Sequence, residues 1–150
     1  MENLLFDNQD TLFMQKALDQ ARTALQKGEV PVGAVITYHG QIIARAHNLT
    51  ETLNDPTAHA EMQAITAACD TVGGKYLDQC TLYVTLEPCL MCAGAIAWAQ
   101  LGRLVYAASD PKKGFTLFQG TILHPKTSTT TGVLAEVSGR LLKEFFAGKR

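Results

Sequence analysis

Leu12, Phe13, Met14, Ala17, Leu18, Ala21, Ala24 and Leu25 recur at helical spacing and stop short of Gly28, so the pattern predicts an amphipathic helix over residues 11–27. Two β-rich runs follow, residues 30–38 and 41–46, joined by His39-Gly40, and predict a hairpin. Asp55-Pro56 reads as an N-cap with proline at the first helical position, which predicts a helix over 56–72 ending at Gly73-Gly74. A short strand at 81–85, an apolar helix over 89–100 and a strand at 104–108 come next. Beyond Gly114 the periodicity fades until 133–147, where Val133, Leu134, Leu141, Leu142, Phe145 and Phe146 predict a closing helix. A hairpin followed by strands alternating with helices predicts a mixed sheet covered on both faces, a three-layer α/β/α sandwich.

The 150 residues, 47% hydrophobic and 18% charged, suit a single domain over 1–150 and are too few for two ordinary ones. No window reaches the roughly 18 consecutive apolar residues a membrane span needs, and MENLLFDNQD at the N-terminus lacks a basic region followed by an apolar run. The expectation is a cytoplasmic protein. A net charge of −1 argues against a chain that is basic all over, but that value averages two unlike parts. Residues 1–100 carry five Lys or Arg and eleven Asp or Glu, a net of −6, whereas residues 101–150 carry eight and three, a net of +5. Such polarity fits a polyanion held by the last third, and equally a solvated basic helix face.

The unusual residues concentrate in three stretches: Glu29-Val30-Pro31-Val32-Gly33-Ala34, Asp55-Pro56-Thr57-Ala58-His59-Ala60-Glu61 and Glu87-Pro88-Cys89-Leu90-Met91-Cys92. The second and third are each expected at the start of a helix, where the positive end of the dipole favours a thiolate. Cys89 and Cys92, three apart, share one helix face and can hold one ion. A Cys-x-x-Cys alone is equally a redox pair, half of a structural zinc site or two buried small residues. The preceding His-x-Glu changes this, because His-x-Glu followed by Pro-Cys-x-x-Cys is the zinc-deaminase signature, with the glutamate a proton shuttle and not a ligand. His59, Cys89 and Cys92 then form the ligand set and Glu61 the catalytic group, and three protein ligands leave the fourth position of a tetrahedral Zn2+ to a water or hydroxide. Cys69 and Cys80 read as ordinary buried thiols, His39 as a turn residue, and His47 and His124 have no partner in the sequence.

These strings, with Thr81-Leu82-Tyr83-Val84-Thr85-Leu86 leading into the cysteines, Ala93-Gly94-Ala95 after them, and Ala108-Ser109-Asp110 with Lys112 and Gly114, resemble the bacterial tRNA-specific adenosine deaminases of the cytidine deaminase superfamily. The likeness runs from the first helix to Phe145-Phe146. It implies a mixed five-stranded, cytidine deaminase-like sheet, one zinc per subunit, a homodimer, and conversion of adenosine to inosine at the wobble position of a tRNA anticodon stem-loop with release of ammonia. Val30 corresponds to the apolar wall beside the base, Asn48 to the side chain that bonds the flipped base or its ribose, and Ala60, Leu86, Glu87, Pro88 and Asp110 to further substrate contacts.

The resemblance also gives the basic last third a use: Arg103, Lys112, Lys113, Lys126, Arg140, Lys143, Lys149 and Arg150, with Phe145, are candidate RNA contacts, affinity coming from phosphates and selectivity from a splayed-out base. The chain departs from the family pattern in a short segment at 126–131, in Ser109 where a basic residue is frequent, and in lacking a long basic tail. Two other readings fit the same motifs. One is a free nucleobase or nucleoside deaminase such as a guanine deaminase, which shares the Asn54 to Glu61 string and a Trp-Ala pair like Trp98-Ala99; the other is a non-catalytic zinc-containing RNA-binding subunit, which has no need of Glu61.

Overall fold

The computed structural model describes residues 8–149. Helix α1 (Asn8–Gln26) leads into the hairpin β1 (Gly33–Tyr38) and β2 (Gln41–His47), turned by His39 and Gly40, both at positive φ. Short α2 (Thr50–Leu53) and α3 (Ala60–Val72) follow, then β3 (Cys80–Leu86), α4 (Leu90–Trp98), β4 (Arg103–Ala108), a 3-10 turn at Phe115–Leu117, β5 (Ser128–Thr131) and α5 (Ala135–Ala147). The sheet order is β2-β1-β3-β4-β5, with β1 antiparallel to both neighbours and β3, β4 and β5 parallel.

Strand alternation divides the core into two layers. Ala34, Ile36, Leu82, Val84, Leu104 and Tyr106 pack with Ala60, Ala64, Ala68, Ala93 and Ile96 of α3 and α4. Val35, Tyr83, Val105 and Ala107 face the other way, onto Phe13, Met14 and Ala17 of α1 and Val133 before α5. The expected sandwich is therefore observed. Gly33 marks how closely α1 lies on the sheet, since a Cβ there would collide with the Ala17 carbonyl oxygen.

Two local expectations are corrected, and two further features appear that the sequence pattern did not announce. The strand expected from residue 30 begins at Gly33. The helix expected from 56 begins at Ala60, because Asp55 accepts hydrogen bonds from the Thr57 N–H and hydroxyl, each 2.8 Å, and builds a turn instead. Strand β5, Ser-Thr-Thr-Thr, carries no apolar signal and is located by its backbone pairing with Arg103–Tyr106. Arg103, grouped with the RNA-tracking cations, forms a bidentate ion pair with the buried Asp10 at 2.7 Å through each nitrogen and also donates to Thr130. Its guanidinium thus joins α1 to the sheet.

Because β1 runs antiparallel to β3, with Ala34 opposite Val84, the start of β1, the end of β2 and the carboxyl ends of β3 and β4 all meet at one edge of the sandwich. The first turns of α3 and α4 begin at the same edge. In sheets of this kind a ligand crevice forms outside the carboxyl ends of the strands.

Candidate active site

His59 stands at the N-cap of α3 and Cys89 at the N-cap of α4, both with extended backbone, while Cys92 lies one helical turn further on. His59 Nδ1 is 3.7 Å from Cys89 Sγ and 3.4 Å from Cys92 Sγ. Among the described residues these three form a group whose ligand atoms all lie within 4.8 Å of one another. Bonds of about 2.0–2.1 Å to nitrogen and about 2.3 Å to sulfur in a tetrahedron require ligand atoms roughly three to four ångströms apart, so the donor set and spacing fit zinc. Cys92 donates a hydrogen bond to Cys89; that bond and the neighbouring His59 hold the Cys89 thiol down at about 4, against burial. The same pairing, together with burial, pushes Cys92 up. The Cys89 bond also raises His59.

Glu61, in the first turn of α3, is 4% exposed. Burial pushes its carboxyl up to about 7, although its own N–H and His59 pull the other way. A carboxyl poised there can take and return a proton near neutrality.

These groups border a cavity of about 570 Å3, whose lining includes Val30, Val32, Asn48, His59, Ala60 and Glu61. Leu86, Glu87, Ser109, Asp110, Lys112 and Lys113 continue the wall from the ends of β3 and β4. Pro88 is buried behind it and accepts a hydrogen bond from the Phe115 N–H through its carbonyl. Glu87 is 3% exposed, and both carboxylate oxygens are taken: one by the Asp110 N–H, the other by the Thr116 N–H and hydroxyl. Asp110 in turn accepts from the N–H groups of Lys112 and Lys113. Gly114 lets this loop close, since a Cβ there would collide with the Glu87 carboxylate.

Of the candidate RNA contacts, Lys112 and Lys113 reach the cavity. From α5 it is Leu142 and Phe146, four apart on one face, that line it, whereas Phe145 is half-buried beneath the Lys149 ammonium. Arg140 and Lys143 are exposed elsewhere on α5. Lys126 precedes β5, whose Ser128 pairs with Arg103 at the opposite end of β4 from the cavity. Arg150 lies outside the described residues.

Glu29 has no role in the sequence reading beyond its place in a motif. It is fully buried, and its carboxylate accepts from the N–H groups of Glu51 and Thr52 at 3.0 and 2.6 Å, the Thr52 hydroxyl at 2.6 Å, the Thr50 hydroxyl and the Asn48 amide. Burial alone would raise the carboxyl, but these donors hold it below the usual range. Acceptor and donors lie 19 to 23 residues apart, so no local spacing announces the contact.

A MafB19-like deaminase family model matches residues 7–150. The tRNA-specific adenosine deaminase of Bacillus subtilis (strain 168) is 46% identical over 143 residues, 92% of this chain and 89% of that protein. The chain belongs to the tRNA-specific adenosine deaminase family. A structure from a study of A-to-I editing by tRNA:A34 deaminases at the wobble position of transfer RNA matches this deaminase with a TM-score of 0.83 at 44% identity, covering 88% of this chain and 99% of that one. A guanine deaminase from Bacillus subtilis matches the deaminase less completely, with a TM-score of 0.63 and 43% identity over 69% of this chain and 66% of the other. The His59, Glu61 and Cys89-x-x-Cys92 constellation thus sits on a fold shared with two base-directed activities.

Proposed function

We propose that the chain is a single zinc-dependent deaminase domain that hydrolyses adenosine to inosine in tRNA, at the wobble position of an anticodon stem-loop. The observation that carries the reading is the buried Glu61, with its carboxyl near 7, beside a zinc-competent His59, Cys89 and Cys92 set in a cavity large enough for a nucleoside. The 44–46% identity to tRNA deaminases over nearly the whole chain favours adenosine in RNA over a free base.

His59, Cys89 and Cys92 would hold the zinc, which supplies the acidity that makes water a nucleophile near neutral pH. Glu61 takes a proton from that water and delivers it to ring N1 while the oxygen adds to C6. It then carries the second proton to the departing amino group, so that adenosine and water become inosine and ammonia. Val30, Val32 and Leu86 give the base apolar walls that exclude bulk water. Lys112 and Lys113, at the rim, supply charge for neighbouring phosphates.

Self-association is part of the proposal. Leu90, Met91 and Trp98 of α4 are exposed, Trp98 at 85%, on the helix that begins at the zinc-binding cysteines, which supports a homodimer buried on that face. Among the described residues no helix is long and apolar enough to cross a membrane, and a tRNA substrate supports a cytoplasmic setting.

Purified, zinc-loaded protein incubated with a tRNA anticodon stem-loop, guanine, cytidine and adenosine tests the reading. Sequencing should show A-to-I change in the loop. Turnover of guanine with inert RNA would replace the proposal with the free-base reading.

A further inference from the structure

Asn48 is 6% exposed and lines the cavity, yet its Oδ1 is buried with no hydrogen-bond partner among the described residues. Its Nδ2 is committed to the protein: it donates to Glu29 Oε1 at 3.5 Å and to Thr50 Oγ1 at 3.4 Å. The peptide group before it is also tied down, with the Asn48 N–H on the Val32 carbonyl and Gln63 donating to the His47 carbonyl. A buried acceptor without a donor is costly, and a ligand that supplies the donor recovers that cost on binding.

We infer that Glu29 is a positioning residue: it engages the Asn48 amide nitrogen, so that Asn48 meets the substrate as a hydrogen-bond acceptor and reads a ribose hydroxyl of the target nucleotide. Turning the amide over would set Oδ1 against the Glu29 carboxylate, two acceptors face to face. That carboxylate cannot turn away, because Glu51, Thr52 and Thr50 hold it at the start of α2. The identity of the donor rests on adenosine in RNA being the substrate. Adenosine donates only through its 6-amino group, which is where reaction occurs, and through its sugar hydroxyls. Within an RNA chain the 3′ and 5′ oxygens are esterified, which leaves the 2′-hydroxyl.

The test compares two stem-loop RNAs that differ only in the 2′-hydroxyl of the target adenosine, with kcat/KM measured for the zinc-loaded full chain. Wild type should prefer the ribose form by about tenfold, the value of one satisfied hydrogen bond to a buried acceptor. Glu29→Gln should lower activity and bring the preference to within about twofold. Asn48→Asp, with Glu29 intact, should lose the preference too, because its carboxylate is repelled from the Glu29 side although it is the stronger acceptor. In Glu29→Gln/Asn48→Asp the preference should return, since the amide introduced at position 29 can donate to the new carboxylate and restore the link between the two side chains. Glu29→Gln or Asn48→Asp retaining the full ribose preference, or wild type deaminating both RNAs equally, overturns the inference while leaving the deaminase reading standing. Wild type inert on both RNAs overturns that reading and the inference with it.

Discussion

Two walls of the same cavity carry buried glutamates in opposite conditions. On the α3 side Glu61 is 4% exposed and has its own N–H as a backbone donor, and its carboxyl is driven up to about 7. Next to the cavity-lining Asn48, Glu29 has no exposed surface, yet it collects donors from Asn48 to Thr52 and is held below the usual carboxylate range. Loss of exposed surface alone therefore does not decide the charge: at Glu61 deep burial outweighs the donors it has, and at Glu29 the donors outweigh the burial. The carboxyl with fewer donors holds a mobile proton, and Glu29 holds a loop in place; Glu87 holds a second loop through its bonds to Asp110 and Thr116.

The most severe way to test this division is to remove the proton carrier and keep its shape. Glu61→Gln should lower kcat by about 10³–10⁴-fold while leaving bound zinc at one equivalent, measured by metal analysis on the same sample. Cys92→Ala should instead remove the metal and the activity together. A Glu61→Gln enzyme within about tenfold of wild type would mean that the proton travels by another group.

The same substitution separates the walls by the sign of a pH effect. Glu61 titrates at about 7 in the folded chain and near 4.5 when unfolded, so between those values the folded form binds more protons and stability falls as pH rises. About two and a half pH units correspond to about 3 kcal/mol. In metal-stripped protein Glu61→Gln should therefore match wild type below about pH 4.5 and exceed it by about 3 kcal/mol above about pH 7, read by urea unfolding. Glu29, with its carboxyl held low, contributes stability that is present above its unfolded value and lost as pH falls through its folded one. Glu29→Gln should thus show its deficit at neutral pH and close the gap in acid. Equal signs for the two variants would remove the distinction drawn between the walls.

Much of the reactive side was legible from one sequence because its chemistry is local: His59 and Glu61 are two apart, Cys89 and Cys92 three apart, and each pair opens a helix. The two core layers were legible for a related reason, since alternation along β1, β3 and β4 assigns each residue to a face. The supporting side was not. Glu29 reaches donors 19 to 23 residues away, and β5 is held by backbone pairing with no apolar periodicity. The cations show the same limit, because charge counts cannot tell Arg103, spent on Asp10, from Lys112 at the rim.

Glu87 tests whether a saturated carboxylate acts on the loop it holds. Glu87→Gln keeps one acceptor and turns an amide toward the Thr116 N–H, which should cost about 2 kcal/mol in stability and raise KM more than it lowers kcat. Gly114→Ala should reproduce the effect from the other partner, its Cβ pressing on a carboxylate that has no free space to retreat into. If either variant loses kcat alone, Glu87 belongs with Glu61 in the chemistry.

The smallest effect concerns the rim. Lys112 and Lys113 are exposed at the cavity mouth on the loop that Glu87 and Asp110 organise, their backbone N–H groups bound to Asp110 and their side chains on the cavity wall. Reversing both to glutamate should weaken stem-loop binding by about tenfold at low salt and flatten the slope of log affinity against log salt by about two, leaving thermal stability unchanged. Arg103→Ala provides the opposite pattern: it takes the bidentate cation from the Asp10 carboxylate, which is 2% exposed and keeps the Tyr83 hydroxyl as a donor, so stability drops while the salt dependence of RNA binding stays as it was. Unchanged RNA affinity in the double lysine reversal would move the phosphate track off this rim and leave the loop with a purely structural duty on the substrate's side of Glu87.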